Sequence, residues 1–127
     1  VEISLANLTC FDDGTLDQCI SEKITPLAWS PLGGGKLADG PVQVLGHQES
    51  YDTGSVVTEL DKIAEARGSS RTAIALAWLM RHPSGIVPIV GTTNPERIND
   101  AATADDIELT RDEWYRLMGA ARQRPLP

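Results

Sequence analysis

Short apolar runs of strand length alternate with helical segments along this chain, and that alternation limits the folds it can adopt. Strands are predicted over residues 2–8, 24–29 and 86–90. Helices are predicted over residues 16–23 and 55–67, from 69 or 70 to about 82, from 95 to about 103, and from 111 onward, with a turn over residues 11–14. This order favours a parallel sheet with helices packed on it. A buried parallel sheet needs cover on both faces. As an isolated unit, three strands should also leave open sheet edges.

Residues with familiar capping chemistry set several of the helix ends. Asn94 is predicted as an N-cap with Pro95 at the first helical position. Thr110 and Glu113 have the spacing of a capping box at the start of the last helix. Gly68 is expected to end the helix predicted over residues 55–67. Residues 36–52 show no clear period and are predicted as a long loop, which is typical of a functional or disordered segment.

Composition places the 127-residue chain among globular proteins, with 41% hydrophobic and 23% charged residues. Its net charge of −7 argues against binding to nucleic acid or to an anionic membrane surface. No apolar run approaches the roughly 18–20 residues of a membrane span. Cys10 and Cys19 fit neither a disulfide framework nor a zinc site, so we expect reduced thiols, a cytoplasmic location and no metal.

A glycine-rich stretch, WSPLGGG, directly follows the strand at residues 24–29. It places an aromatic plane, Trp29, beside a hydroxyl, Ser30, and then glycines that let backbone come close to a ligand such as a phosphate. Composition alone is equally compatible with a flexible loop beside a core tryptophan.

A second polar stretch, GTTNPER, follows the strand at residues 86–90. Thr92, Thr93 and Arg97 supply donors at a helix N-terminus, which together could hold an anion. In the alternative interpretation, Asn94 is a simple cap and Arg97 pairs with Glu96 or Asp100 on the surface. Because parallel strands present their C-terminal loops on one side, the two stretches together would suit a dinucleotide.

Other reactive side chains are not assigned to a site. His47 is interpreted as a solvated loop histidine, and His82 as a helix C-terminal residue, where positive charge is favoured. Cys10 has no neighbouring base in the sequence and is not interpreted as a nucleophile.

Four blocks in order resemble the aldo-keto reductase superfamily. VEISL at residues 1–5 looks like the sixth barrel strand, and ITPLAWSPLGGG at 24–35 resembles the seventh strand and its loop. TAIALAWL at 72–79 resembles the helix before the eighth strand, and IVPIVGTTNPERI at 86–98 resembles that strand and its phosphate loop. The resemblance implies an α/β fold in which residues 1–127 form the C-terminal part, about strands 6–8, of a (β/α)8 TIM barrel, incomplete as a domain.

The resemblance also implies roles in binding NADP(H), as in bacterial NADP-dependent members. Trp29 takes the place of the aromatic residue that stacks on the nicotinamide. The pyrophosphate segment is implied for Ser30, Leu32, Gly33 and Gly35. The 2′-phosphate segment is implied for Gly91, Thr92, Thr93 and Arg97, and the adenine region for Asp100. Gly91 stands where many members have a lysine, and Ala101 where many have an asparagine.

No catalytic residue is expected in this chain, because the family's Asp, Tyr, Lys and His tetrad comes from earlier strands. The implied parent enzyme reduces aldehydes or ketones with NADPH, whereas this polypeptide alone should reduce nothing. The alternatives are a non-catalytic nucleotide-binding or regulatory module, or the remnant of a truncated gene. The expected partners are a small carbonyl substrate of the parent enzyme and either a protein that associates through the open sheet edges or the missing N-terminal part.

Overall fold

The computed structural model describes residues 1–123. Its helices and strands, in chain order, are α1 (Thr9–Asp12), α2 (Thr15–Glu22), β1 (Leu27–Ala28), α3 (Gly54–Arg67), α4 (Arg71–Met80), β2 (Val87–Pro88), α5 (Pro95–Ala102) and α6 (Arg111–Arg122). Short 3-10 helices cover Gly46–Gln48 and Thr103–Asp106. The predicted alternation of strands and helices is confirmed from β1 onward.

The sheet is parallel, as predicted, but its strands are short. Leu27 lies opposite Val87 and Ala28 opposite Pro88, while Glu2 forms an isolated parallel bridge with Trp29 on the other side of β1. The chain segments therefore lie in the order Glu2, β1, β2, which matches three neighbouring strand positions of a partial α/β barrel.

The N-terminal segment departs from the prediction after Glu2. The predicted strand over residues 2–8 is wrong there because the hydroxyl of Ser4 accepts the N–H groups of Ala6 and Asn7 and folds the chain into a turn. The predicted turn over residues 11–14 is wrong for its first half, since α1 extends to Asp12. Phe11 in that helix packs against Trp78, with 5.3 Å between ring centroids.

One face of the sheet is open. Ala28 and Ile86 are buried, whereas Leu27 and Val87 are 51% and 46% exposed, and Ile89 is 47% exposed. The prediction that residues 86–90 form a buried strand is therefore wrong: the strand covers only Val87–Pro88, and within 86–90 only Ile86 is buried. Helices cover only one face of this sheet, and alternate side chains of a strand point to opposite faces.

The core lies on the covered face and is built around α4, whose residues 73–79 are all buried. Helix α3 contributes Val56, Leu60 and Ile63 to it, and α6 contributes Leu117. The helices predicted over residues 55–67, from 69 or 70 to about 82, and from 111 onward are confirmed as α3, α4 and α6.

The predicted caps are confirmed as well. Asn94 Oδ1 accepts the N–H of Glu96 to start α5, and Pro95 takes the first position of that helix. Thr110 and Glu113 exchange side-chain to backbone hydrogen bonds at the start of α6. Gly68 ends α3 in the left-handed conformation.

Candidate functional site

A groove of about 610 Å³ opens where β1 and β2 end. Eight of the ten predicted site residues line it, namely Ser30, Leu32, Gly35, Gly91, Thr92, Thr93, Arg97 and Asp100. The structure therefore brings the two predicted loops together on one side of the sheet, as the parallel-strand rule requires.

Two of the ten lie outside the lining. Trp29 is 41% exposed on the open face of the sheet, next to Ser30, and its ring meets His47 edge-on at 6.3 Å. Gly33 is buried, and a Cβ there would lie 3.2 Å from Cβ of Ala6. Gly33 thus faces the N-terminal segment rather than the groove.

The glycine run is needed for contact with the protein's own loop. A Cβ on Gly34 would lie 2.6 Å from Oε1 of Gln48, and a Cβ on Gly35 would lie 2.6 Å from the carbonyl oxygen of Pro41. Both glycines also have positive φ angles, +71° and +95°. The sequence predicted that a ligand comes close to the backbone of these glycines. At Gly34 and Gly35 it is the 36–52 loop that comes close instead.

That loop forms one wall of the groove and is fastened to the start of α4. Asp39 and Thr72 exchange hydrogen bonds, each accepting the other's backbone N–H with its side chain. Both line the groove, as does Gly40, where a Cβ would lie 3.0 Å from Cζ of Arg97. Sequence reasoning missed these three residues because the contacts join positions more than 30 residues apart.

The cationic side of the groove is formed by Arg97. Within residues 1–123 its guanidinium makes no hydrogen bond or ion pair. The alternative prediction that Arg97 pairs with Glu96 or Asp100 is therefore wrong. Asp100 instead accepts a hydrogen bond of 2.7 Å from the hydroxyl of Ser70, the N-cap of α4.

Hydroxyl donors line the same groove as this arginine. Thr92 Oγ1 accepts the N–H of Asn94, which leaves the hydroxyl proton of Thr92 available to a ligand. Thr93 is exposed and also lines the groove. An unpaired guanidinium, two hydroxyl groups and the positive end of α5 are the donors that a phosphate group requires.

The described residues also bear on metal sites, reactive thiols and membrane-spanning helices. No group of three or more His, Cys, Asp or Glu side chains there could hold a metal ion. Cys10 and Cys19 are free, and burial raises the pKa of the Cys10 thiol, which disfavours the nucleophilic thiolate. Burial lowers the pKa of His82, which disfavours the positive charge expected at this helix end. Among residues 1–123, no helix is both long and apolar enough to cross a membrane.

A family model described as "Aldo/keto reductase family" matches residues 2–122. The chain belongs to the aldo/keto reductase family. It is 44% identical over 126 residues to a 6-dehydroglucose reductase of Novosphingobium aromaticivorans, covering 99% of this chain and 39% of that protein. It is 35% identical over 127 residues to the oxidoreductase YdhF of Escherichia coli, covering 100% of this chain and 40% of that protein.

Solved structures show the same fold. The thermostable aldo-keto reductase Tm1743, solved with the inhibitor epalrestat, aligns with a TM-score of 0.76 at 23% identity, over 94% of this chain and 38% of its own. An aldose reductase from Giardia lamblia aligns with a TM-score of 0.69 at 22% identity, over 99% and 37%. The chain thus spans about 40% of the length of its relatives and forms part of an α/β barrel, within a family of oxidoreductases.

Proposed function

We propose that this chain supplies one side of the cofactor site in an NADPH-dependent reductase of aldehydes or ketones. The observation that carries the proposal is Arg97, an arginine without a partner among the described residues, beside Thr92 and Thr93 at the ends of parallel strands. In a chain of net charge −7, an unpaired cation in a groove is a site for an anionic ligand.

The residues present fit the phosphates of NADPH. Arg97 offers a planar fork to the 2′-phosphate, and Thr92 and Thr93 offer hydroxyl donors. Ser30 and Leu32 line the groove beside the glycine run, where the pyrophosphate would lie. Trp29 offers an exposed indole face to the nicotinamide.

When bound, NADPH supplies a hydride to the carbonyl carbon of a substrate. The residues of this chain bind and orient the cofactor, and the proton for the carbonyl oxygen comes from a part of the barrel outside it. By this proposal the chain by itself reduces no substrate. The alternative is a non-catalytic nucleotide-binding module that uses the same groove. A carbonyl reduction assay of the whole barrel distinguishes a reductase from such a module.

A hydroxylated aldehyde is the substrate we propose for the whole protein. The support is similarity to two proteins named 6-dehydroglucose reductase, the second from Agrobacterium fabrum at 39% identity over 117 residues.

We further propose that the rest of the barrel covers the open sheet face around Leu27 and Val87. We also propose that the protein acts in the cytoplasm, where its free cysteines would stay reduced.

Calorimetric titration with NADPH and NADH tests the cofactor assignment. We expect Arg97→Ala to weaken NADPH binding about 10–100-fold, the usual effect of losing a charge-assisted hydrogen bond, with little effect on NADH. Arg81→Ala is the matched control, because Arg81 is exposed and lies outside the groove lining. Equal binding of NADPH and NADH, or the same NADPH affinity after Arg97→Ala, would refute the assignment.

A further inference from the structure

Glu2 carries a carboxylate that is almost withdrawn from solvent, with 8% of its side chain exposed. It accepts hydrogen bonds from the hydroxyl of Tyr51 at 2.7 Å, from Nε2 of His47 at 2.8 Å and from Nε2 of Gln48 at 3.2 Å. Since a carboxylate only accepts, His47 must carry a proton on Nε2 in this contact. Burial alone would raise the pKa of Glu2, but these hydrogen bonds outweigh it and hold the pKa below its usual value.

All three donors come from one end of the 36–52 loop. Gln48 is fully buried, and its Oε1 accepts the backbone N–H of Leu45 at 2.8 Å. The hydroxyl of Tyr51 also accepts from Nδ2 of Asn7 at 3.1 Å. The Glu2 side chain thus joins the N-terminal segment to a part of the chain 45 to 49 residues later.

This fastened end is tied to the groove wall. Nζ of Lys36 donates to the carbonyl oxygens of Glu49 and Tyr51, both at 2.9 Å, so the start and the end of the loop are held together. Between these ends, the N–H of Gln43 donates to the carbonyl oxygen of Gly34 at 2.7 Å. The loop residues that line the groove are therefore held between two fixed ends.

The contact between Glu2 and His47 also determines which side chain lies against Trp29. Glu2 and Trp29 are bridge partners in the sheet, and His47, bound to Glu2, makes a T-shaped contact with the indole ring. One carboxylate therefore fixes the loop wall and the side chain beside Trp29.

We propose that Glu2 is a positioning residue, which fastens the 36–52 loop through Tyr51, His47 and Gln48 and thereby holds the groove wall and the ring of Trp29 in place. The effect on the loop follows from the contacts alone, and the effect on cofactor affinity rests on the proposed function. Glu2 touches neither the groove nor a reacting atom.

Backbone amide exchange of the chain, read residue by residue, tests the first part. We expect Glu2→Gln, which keeps the shape and removes the charge, to speed exchange at Gln43 and Gln48 at least about tenfold. Exchange in α3 and α4 should stay unchanged. Glu49→Gln is the matched control, since it removes a charge from an exposed side chain of the same loop, and it should change nothing. Tyr51→Phe, which removes one donor, should act in the same direction by about threefold or more.

NADPH titration of the same variants tests the second part. We expect Glu2→Gln to raise the Kd for NADPH about tenfold, and Glu49→Gln to leave it unchanged. Unchanged exchange at Gln43 and Gln48 would overturn the proposal, and so would exchange that rises equally in α4. If the unaltered chain binds no NADPH, the proposed cofactor site fails, while the exchange data still decide whether Glu2 fastens the loop.

Discussion

The indole rings of Trp78 and Trp114 stack with 4.8 Å between their centroids and 13° between their planes. Each ring donates its Nε1–H to the other residue's backbone carbonyl oxygen at 3.0 Å. Trp78 lies in the last turn of α4, where carbonyl groups lack a helical partner. The pair therefore joins α4 to α6 and satisfies both indole N–H donors at once.

Replacing Trp114 by phenylalanine removes the ring nitrogen and leaves the carbonyl group of Trp78 without this donor. We expect the free energy of unfolding to fall by about 2 kcal/mol, as for other buried groups that lose their partner. Urea unfolding measures it. Tyr115→Phe is the control on the same helix, because Tyr115 is exposed, and it should change the free energy by less than about 0.5 kcal/mol. Equal losses in both variants would contradict this role of the indole N–H.

Arg67 and Glu113 form the ion pair with the clearest consequence for pH. The Arg67 guanidinium, together with the capping hydrogen bonds of Thr110, lowers the pKa of Glu113 to about 2, against the opposing effect of its partial burial. A carboxyl group with a lowered pKa in the folded state stabilises the fold above its unfolded pKa, near 4.5, and loses that effect as pH falls toward 2. We expect Glu113→Gln to cost about 1 kcal/mol at pH 7, since the pair is partly hydrated.

That difference should shrink below about pH 4 and be small near pH 2, where Glu113 of the unaltered folded chain is itself about half protonated. Chemical denaturation at several pH values measures it. Asp112→Asn is the matched control, because that neighbouring carboxylate is 79% exposed and should contribute little at any pH. A cost for Glu113→Gln that is independent of pH would show that the ion pair is not its source.

Local features of this chain were predictable from sequence, whereas the long-range side-chain contacts were not. The caps at Asn94 and Thr110 involve partners two or three residues away, so a short stretch of sequence contains the whole interaction. The network around Glu2 joins residues 45 to 49 positions apart, and His47, interpreted as a solvated loop histidine, is hydrogen-bonded within it. Nothing in the neighbourhood of His47 in the sequence indicates that partner.

The candidate site divides in the same way. The two loops could be placed together from the order of strands, since parallel strands end on one side of a sheet. The wall formed by Asp39, Gly40 and Thr72 could not, because a loop without a period gives no signal of where it folds. The exposure of Val87 was missed for a related reason: an apolar run does not show which faces of its sheet are covered.

Gly40 offers the sharpest test of how the loop and Arg97 fit together. A Cβ at Gly40 would lie 3.0 Å from Cζ and 3.1 Å from Nε of Arg97, and the flexible guanidinium can move away at little cost to the fold. We therefore expect Gly40→Ala to weaken NADPH binding about tenfold while Tm stays within about 1 °C, because the displaced cation no longer meets the phosphate. Gly46→Ala is the matched control, since a Cβ at Gly46 in the same loop meets nothing within 4 Å. A Gly40→Ala chain that binds NADPH as well as the unaltered one would show that the placement of Arg97 does not control affinity, and a lower Tm would show that the loop, rather than the arginine, gives way.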